Sequence, residues 1–355
     1  MLSCLALLAG LSLSFETAHA QTRAEDGDGI FSIQLENDVF ASNADRHYTN
    51  GLRLSYLTKT KPCDPDDEKP CISGLLKDLT SFIPAFRDGE EHRIAYSLGQ
   101  NMYTPSDISV EELMPNDRPY AGWLYFGLGF VSKNSFGDTP DKDYTRLDRL
   151  ELNIGMVGPY SLAEVAQKGW HDLFNFREPL GWDNQLKNEP GVVLLYERQW
   201  LFKRNSMIFN VFDAELAPSL GAAVGNVFTY AAAGARVRFG VHLPADYGPP
   251  RIRPSLPGSD AFIPSDRVSA YVFGGVEGRA VARNIFLDGN SYRPSHSVPK
   301  KHFVGDLQLG AALVMPRTGL LPPFRLSYTY IWRSEEFKGQ EFKDRFGSIS
   351  LSFSL

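Results

Sequence analysis

Four positions in this chain carry the residue types of a hydrolytic site: the adjacent pair Asn37 and Asp38, then Thr49, then His171. An imidazole titrates near neutrality and can take a proton from water, while a carboxylate can hold a cation. Amide and hydroxyl groups can steer an oxyanion. The first three sit in 36-ENDVFASNADRHYTNGLRLSY-56, which has more polar chemistry than a hairpin tip needs, and His171 lies in SLAEVAQKGWHDLF. Phe31, Ile33 and Leu35 alternate with Ser32, Gln34, Glu36 and Asp38, and Thr49 shares the face of Arg53. Asp38 and Thr49 therefore converge at one end of a polar strand face, within reach of a helix that carries His171. A polar wall lining explains the same residues without any chemistry. His171 taken alone reads as a helix residue hydrogen-bonded to a neighbouring wall. There is no G-x-S-x-G elbow, H-E-x-x-H helix or C-x-x-C pair, and His19, His92, His242, His296 and His302 have no metal spacing.

The elements that must position these groups are constrained by composition. The chain has 355 residues, 43% hydrophobic and 22% charged, with a formal net charge of −6. That suits one large domain or two ordinary ones, and the lack of a basic block excludes nucleic acid as a partner. Leu5 to Phe15 is apolar and is followed by Ala18-His19-Ala20, which reads as a signal peptide over 1–20, although the usual positive n-region is missing. Residues 21–355 are then a single exported domain. Cys4 falls in the leader; Cys63 and Cys71 bracket DPDDEKP and read most simply as a disulfide, with a metal site the weaker option. The mature sequence has no run of about 18 apolar residues, so no transmembrane helix is expected. A soluble exported protein and an outer-membrane β-barrel remain.

Alternation favours the barrel. Leu124, Phe126, Leu128 and Phe130 alternate with Tyr125, Gly127 and Gly129, and Ile349, Leu351 and Phe353 alternate with Ser348, Ser350 and Ser352. A soluble sandwich would alternate too. Segments of about ten residues, Tyr and Trp at the ends of apolar faces, and a chain that ends on a strand fit a membrane barrel better. The final residue, Leu355, departs from the commoner aromatic ending. Strands are expected near 30–40, 48–58, 92–103, 119–132, 145–157, 191–202, 206–217, 227–240, 267–282, 302–315, 323–333 and 342–355. This is a twelve-stranded, antiparallel, all-β transmembrane barrel. Residues 59–91 hold the cysteines and an amphipathic stretch, ISGLLKDLTSFI, on the periplasmic side. Residues 158–190 hold a short helix in an extracellular loop, with Ser161 and Glu164 as a capping box and an apolar stripe of Leu162, Val165, Ala166, Leu173 and Phe174. Residues 241–266 read as a long Pro- and Gly-rich turn without chemistry of its own.

The motifs ENDVF, DRHYTNGLRLSY, NDRPYAGWLYFGLG, GMVGPYSLAEVAQKGWH and GWDNQLKNEPG, in that order, resemble the outer-membrane lipid A 3′-O-deacylase family. The resemblance runs through residues 31–200 and more loosely to the C-terminus. It implies a barrel whose active site lies at the outer side between wall and loop helix, and a calcium-dependent hydrolysis of the 3′-linked acyloxyacyl ester. The implied residues are His171 as general base, Asn37, Asp38 and Thr49 around the reacting ester, and Asp38 on Ca2+. The family's glutamate six residues after the histidine is replaced here by Arg177, and a one-residue slip makes Glu178 the second calcium ligand. Arg46, Arg118 and Lys187 are the basic residues expected to meet lipid A phosphates, because the loop 105–118 carries Glu111 and Glu112 where other members carry basic residues. The implied partners are lipopolysaccharide and the outer membrane, and the implied state is a monomer. Two other readings stand beside it: a pore or structural barrel without activity, and a phospholipase with a serine–histidine pair. Asp45 and His47 are expected to be loop structure.

Overall fold

The computed structural model describes residues 29–41, 47–59, 86, 91–136, 144–208, 212–244, 246–255, 258, 260–262, 266–341 and 343–355. The leader, Arg46, both cysteines of 63–71 and the stretch 72–83 lie outside the described residues. Twelve strands are present: β1 Ile30–Asn37, β2 His47–Leu57, β3 Glu91–Thr104, β4 Ala121–Phe136, β5 Tyr144–Val157 and β6 Glu189–Ile208. They continue as β7 Phe212–Gly225, β8 Phe228–Val241, β9 Ser269–Asn284, β10 Phe303–Met315, β11 Phe324–Arg333 and β12 Asp344–Ser354. Each is antiparallel to its sequence neighbours, and β1 closes the barrel on β12 with Ile30 opposite Ser354 and Asn37 opposite Gly347.

The two faces of each strand settle which solvent the barrel was built for. On β11, Arg325, Ser327, Thr329 and Arg333 are buried while Leu326 and Tyr328 are exposed; on β12, Ser348, Ser350 and Ser352 are buried. A water-soluble sandwich hides its apolar face, whereas a membrane barrel turns it outward and keeps polar groups within. Leu98, Phe126, Ile154, Leu194, Leu220, Val237, Val272 and Leu309 continue the outward band around the wall. Phe136, Tyr144 and Phe202 stack in a row at the end where both termini lie, with centroids 5.0 and 5.4 Å apart, and Tyr330 and Trp332 pair at the other. These are interfacial aromatic girdles.

The strand boundaries follow the sequence closely except at β7, expected over 206–217 and found at Phe212–Gly225. β6 runs on to Ile208, and the small residues Gly221, Ala222 and Ala223 blur the period of two that would have located its partner.

The segment after β8 corrects the sequence reading. It is not an idle turn but a plug folded into the lumen. Asp260 accepts hydrogen bonds from Gln34 (3.1 Å), Ser55 (3.1 Å) and Arg149 (3.2 Å), joining β1, β2 and β5. Asp246 pairs with Arg238 and Arg325, and Arg253 with Glu197. Arg251 donates to Glu36 at 2.6 Å, and Pro254 accepts from Arg333 at 3.0 Å. Gly248 has a φ of +84°, and a Cβ there would lie 2.3 Å from the Arg236 guanidinium. Only glycine allows the plug backbone this close to the wall. Burial pushes the Asp260 carboxyl up, but Arg53 and Arg149 outweigh it and hold the group well below the usual carboxylate range. Two cavities between plug and wall measure about 10 Å³ each, room for roughly one water.

Candidate active site

The loop between β5 and β6 delivers the catalytic candidate. A 3-10 turn, Pro159–Ser161, leads into helix α1, Ala163–Phe174. The capping box does not form: Ser161 is buried in the preceding turn, the residue at the cap is Leu162 with a left-handed φ of 59°, and no side chain caps the helix. Glu164 instead accepts from Lys168 at 2.9 Å. Packing against the wall overrides the local signal. Gln100 of β3 donates to the Ser161 carbonyl at 2.6 Å. A Cβ on Gly122 of β4 would fall 2.1 Å from Ser161 Oγ and 2.3 Å from Ala163 Cβ, so this glycine sets how near the helix can come.

The expected apolar stripe of α1 is also turned the other way. The buried residues are Ala163, Gln167 and His171, spaced at four, while Leu162, Val165, Leu173 and Phe174 are exposed. Gln167 Oε1 accepts from the Trp182 indole at 2.8 Å, which fixes the amide; its Nε2 is buried without a hydrogen-bond partner among the described residues. After α1 the chain reverses at Asn175, in the left-handed conformation, and the Arg177 carbonyl returns to His171 Nδ1. A carbonyl only accepts, so Nδ1 carries the proton and Nε2 is the basic nitrogen.

His171, Asn37 and Thr49 line one cleft of about 730 Å³, together with Leu35, Leu52 and Gln100 of the wall. The cleft does not lie on the polar strand face to which alternation assigns Asp38 and Thr49. Leu35 and Leu52 are on the outward side of their strands, so the cleft lies outside the barrel, between wall and α1. Asn37 follows the outward parity of Leu35. Thr49 has the parity of lumen-facing Arg53, but the β2–β3 pairing shifts between Tyr48 and Asn50 and leaves Thr49 in the irregularity. Tyr48 turns inward onto Tyr103 and Phe346, and Thr49 meets Thr104 at 2.6 Å. A β-bulge re-aims one side chain in just this way.

Asn37 Oδ1 accepts from Val39 N–H at 2.8 Å and so caps the 3-10 turn Asp38–Phe40. The NH2 group is the donor it can offer. Asp38 is buried as the first residue of that turn and is not among the residues lining the cleft. Asp107, at the cleft, accepts from the Ser109 N–H (2.9 Å) and hydroxyl (2.6 Å), and these bonds lower its pKa.

The basic residues fall elsewhere than expected. Arg118 is fully buried and paired with Glu336 at 2.8 Å. Burial pushes Glu336 up, but Arg118 and Arg333 prevail and hold it below the ordinary range. Lys187 is exposed, with its backbone bonded to Asn290, and Glu178 is exposed on the surface. None of Arg118, Lys187 and Glu178 lines the cleft. Arg177, which looked like a departure from pattern, does line it, with Nη1 3.4 Å from Ser109 Oγ. Gln167 went unread as well, although its spacing of four from His171 put both on one helix face. His47 is more than loop structure: its Nδ1 is 2.5 Å from Asp344 and its Nε2 3.7 Å from Asp117.

The Asn37 amide and Thr49 hydroxyl oxygens at the cleft are hard donors of the kind that calcium takes, whereas the Asp38 carboxylate, next in sequence, does not line it. Among the described residues, no group of three or more His, Cys, Asp and Glu is placed to hold a metal. Calcium at this site would therefore rely on amide, hydroxyl, carbonyl or water oxygens beside one carboxylate.

Together the closed wall, the outward apolar band and the cleft beneath a loop helix define an outer-membrane β-barrel with a polar site on its outer face. Residues 4–355 match the family model described as outer membrane protein LpxR, and the chain belongs to that family. Among solved structures, LpxR from Salmonella typhimurium is similar over 92% of this chain and 100% of its own, at 19% identity and a TM-score of 0.65, a likeness of fold. The β domain of the Bordetella autotransporter BrkA matches 93% of this chain and 100% of its own at 10% identity and a TM-score of 0.47. No curated protein sequence matches.

Proposed function

We propose that this protein is a lipid A deacylase that hydrolyses the 3′-linked acyloxyacyl ester. The observation that carries the reading is His171 in an outward cleft, with Nδ1 turned to the Arg177 carbonyl and Asn37, Thr49 and Gln167 lining the same space. Family membership and the five ordered motifs support it. His171 Nε2 takes a proton from water, which attacks the ester carbonyl without a covalent acyl-enzyme. As negative charge develops on the carbonyl oxygen, the amide NH2 groups of Asn37 and Gln167 and the Thr49 hydroxyl are the available donors. His171 then returns the proton to the leaving oxygen. Leu35, Leu52, Met102 and Ile108 supply apolar lining for an acyl chain, and Arg177 a guanidinium suited to phosphate.

Calcium, which the family resemblance implies on Asp38, would find the amide and hydroxyl oxygens of Asn37 and Thr49 at the cleft and would supply a positive charge to polarise the carbonyl. Purified protein in detergent is expected to release fatty acid from lipid A with calcium and to stop on chelation, recovering when calcium returns. Equal release with and without the chelator would remove calcium from the account.

The pore reading is disfavoured by the plug, whose side chains reach β1, β2, β5, β6, β8 and β11 across the lumen.

A further inference from the structure

A second pocket, of about 300 Å³, lies at the outer end of β2 between the loop 105–118 and the β11–β12 connection. Its polar lining comes from His47, Asp117, Gln340 and Glu341, and its apolar lining includes Met114 and Phe337. Ser106 lines both this pocket and the cleft, so the two are neighbours. The hydrolysis proposed above makes no use of it.

His47 anchors the pocket. It is 2% exposed, and its Nδ1 meets Asp344 at 2.5 Å. A carboxylate only accepts, so Nδ1 carries the proton and Nε2 of the neutral ring presents a lone pair. The group facing Nε2 is another acceptor, Asp117 Oδ1, 3.7 Å away and beyond hydrogen-bond reach. Asp117 is held in place, because its two oxygens accept the Arg118 and Ser106 N–H groups at 2.7 Å each. Each oxygen keeps a further lone-pair direction. Glu341 brings a second carboxylate to the lining, and no lining residue is basic apart from His47. Arg118 is committed to Glu336 at 2.8 Å and does not line the pocket.

Facing acceptors in a buried corner favour a ligand that brings donors and positive charge. An ammonium group has three N–H donors and no acceptor, which suits one lone pair and two carboxylates. A bare metal ion fits less well, since among the described residues no three His, Cys, Asp and Glu groups converge. Met114 and Phe337 offer apolar surface to a small carbon skeleton.

We infer that this pocket binds a primary ammonium group carried on a small polar body, with His47 Nε2, Asp117 and Glu341 as its acceptors. An amino sugar and an ethanolamine headgroup share that chemistry. The inference stands on the pocket alone and holds whether or not the cleft is a deacylase.

Saturation-transfer NMR on the full protein in a neutral detergent tests it, with glucosamine as probe and N-acetylglucosamine as the uncharged counterpart. Glucosamine is expected to bind and N-acetylglucosamine to give little signal. Glu341→Gln and Asp117→Asn are each expected to weaken glucosamine by about tenfold. If Asp117→Asn does not fold, Glu341→Gln, at an exposed position, decides. No glucosamine signal from the wild type would overturn the inference, as when a protonated His47 bridges Asp344 and Asp117 by itself. Equal signals from the two sugars, or glucosamine binding unmoved by Glu341→Gln, would overturn it as well. Competition then separates the sources. A glucosamine signal suppressed in phosphatidylethanolamine nanodiscs but not in phosphatidylglycerol nanodiscs supports the pocket with a lipid headgroup as ligand. A signal equal in both supports it with a soluble amine.

Discussion

His171 owes its proposed role to one contact. The Arg177 carbonyl takes the Nδ1 proton's hydrogen bond, and the ring is left to work through Nε2. Gln167 stands one turn earlier, with its amide oxygen tied to Trp182 and its NH2 buried beside the cleft. If that NH2 meets the oxyanion, Gln167→Leu should lower kcat by roughly 10²–10³-fold with little change in KM. A change confined to KM would mark it as a binding residue instead. The sequence allowed His171 to be found by residue type and family motif. Gln167 and Arg177 were legible only as helix spacing and as an apparent departure from pattern, because their value depends on the turn at Asn175 and on the wall across from them.

Elements, rather than residues, explain where the site lies. Alternation along β1 correctly sorts Ser32, Gln34 and Glu36 from Ile33 and Leu35, since a period of two is a local property of a strand. It fails at Thr49, where the pairing with β3 slips. It fails again at α1, where contact of Ala163 with the wall at Gly122 replaces the capping box written in the sequence. Gly122→Val therefore ought to lift the start of α1 from β4. Overpacking of this kind costs about 1–3 kcal/mol, and hydrogen exchange should show loss of protection confined to α1 with the barrel intact. Unchanged protection in α1 would mean that the helix does not depend on this close approach.

At the scale of the molecule, the plug decides what the barrel can be. Its anchors join residues far apart in sequence, Asp260 with Gln34 and Arg149 among them, and no local pattern announces such pairs. Removing one partner of a buried ionic network costs about 3–5 kcal/mol. Asp260→Ala is thus expected to loosen the plug and to give conductance steps in planar bilayers where the wild type gives none; steady porin-like steps from the wild type would contradict a filled lumen. The same carboxyl sets an acid limit. Its folded pKa lies below the unfolded value of about 3.9, so its contribution is complete above that pH and is lost as pH falls through the folded value. Thermal stability should hold through mildly acidic pH and fall only under strongly acidic conditions, and less steeply in Asp260→Asn.

In the proposed reaction His171 in the outer cleft activates water against the 3′ ester of lipid A. Mass spectrometry of lipid A from a host producing the protein tests it most directly, with His171→Ala alongside and both proteins shown to be folded in the membrane. Wild type should shift lipid A to a species lacking one 3′-acyloxyacyl group, and His171→Ala should leave it unshifted. An unchanged profile with folded wild type and calcium present, or an equal shift with His171→Ala, would contradict the account.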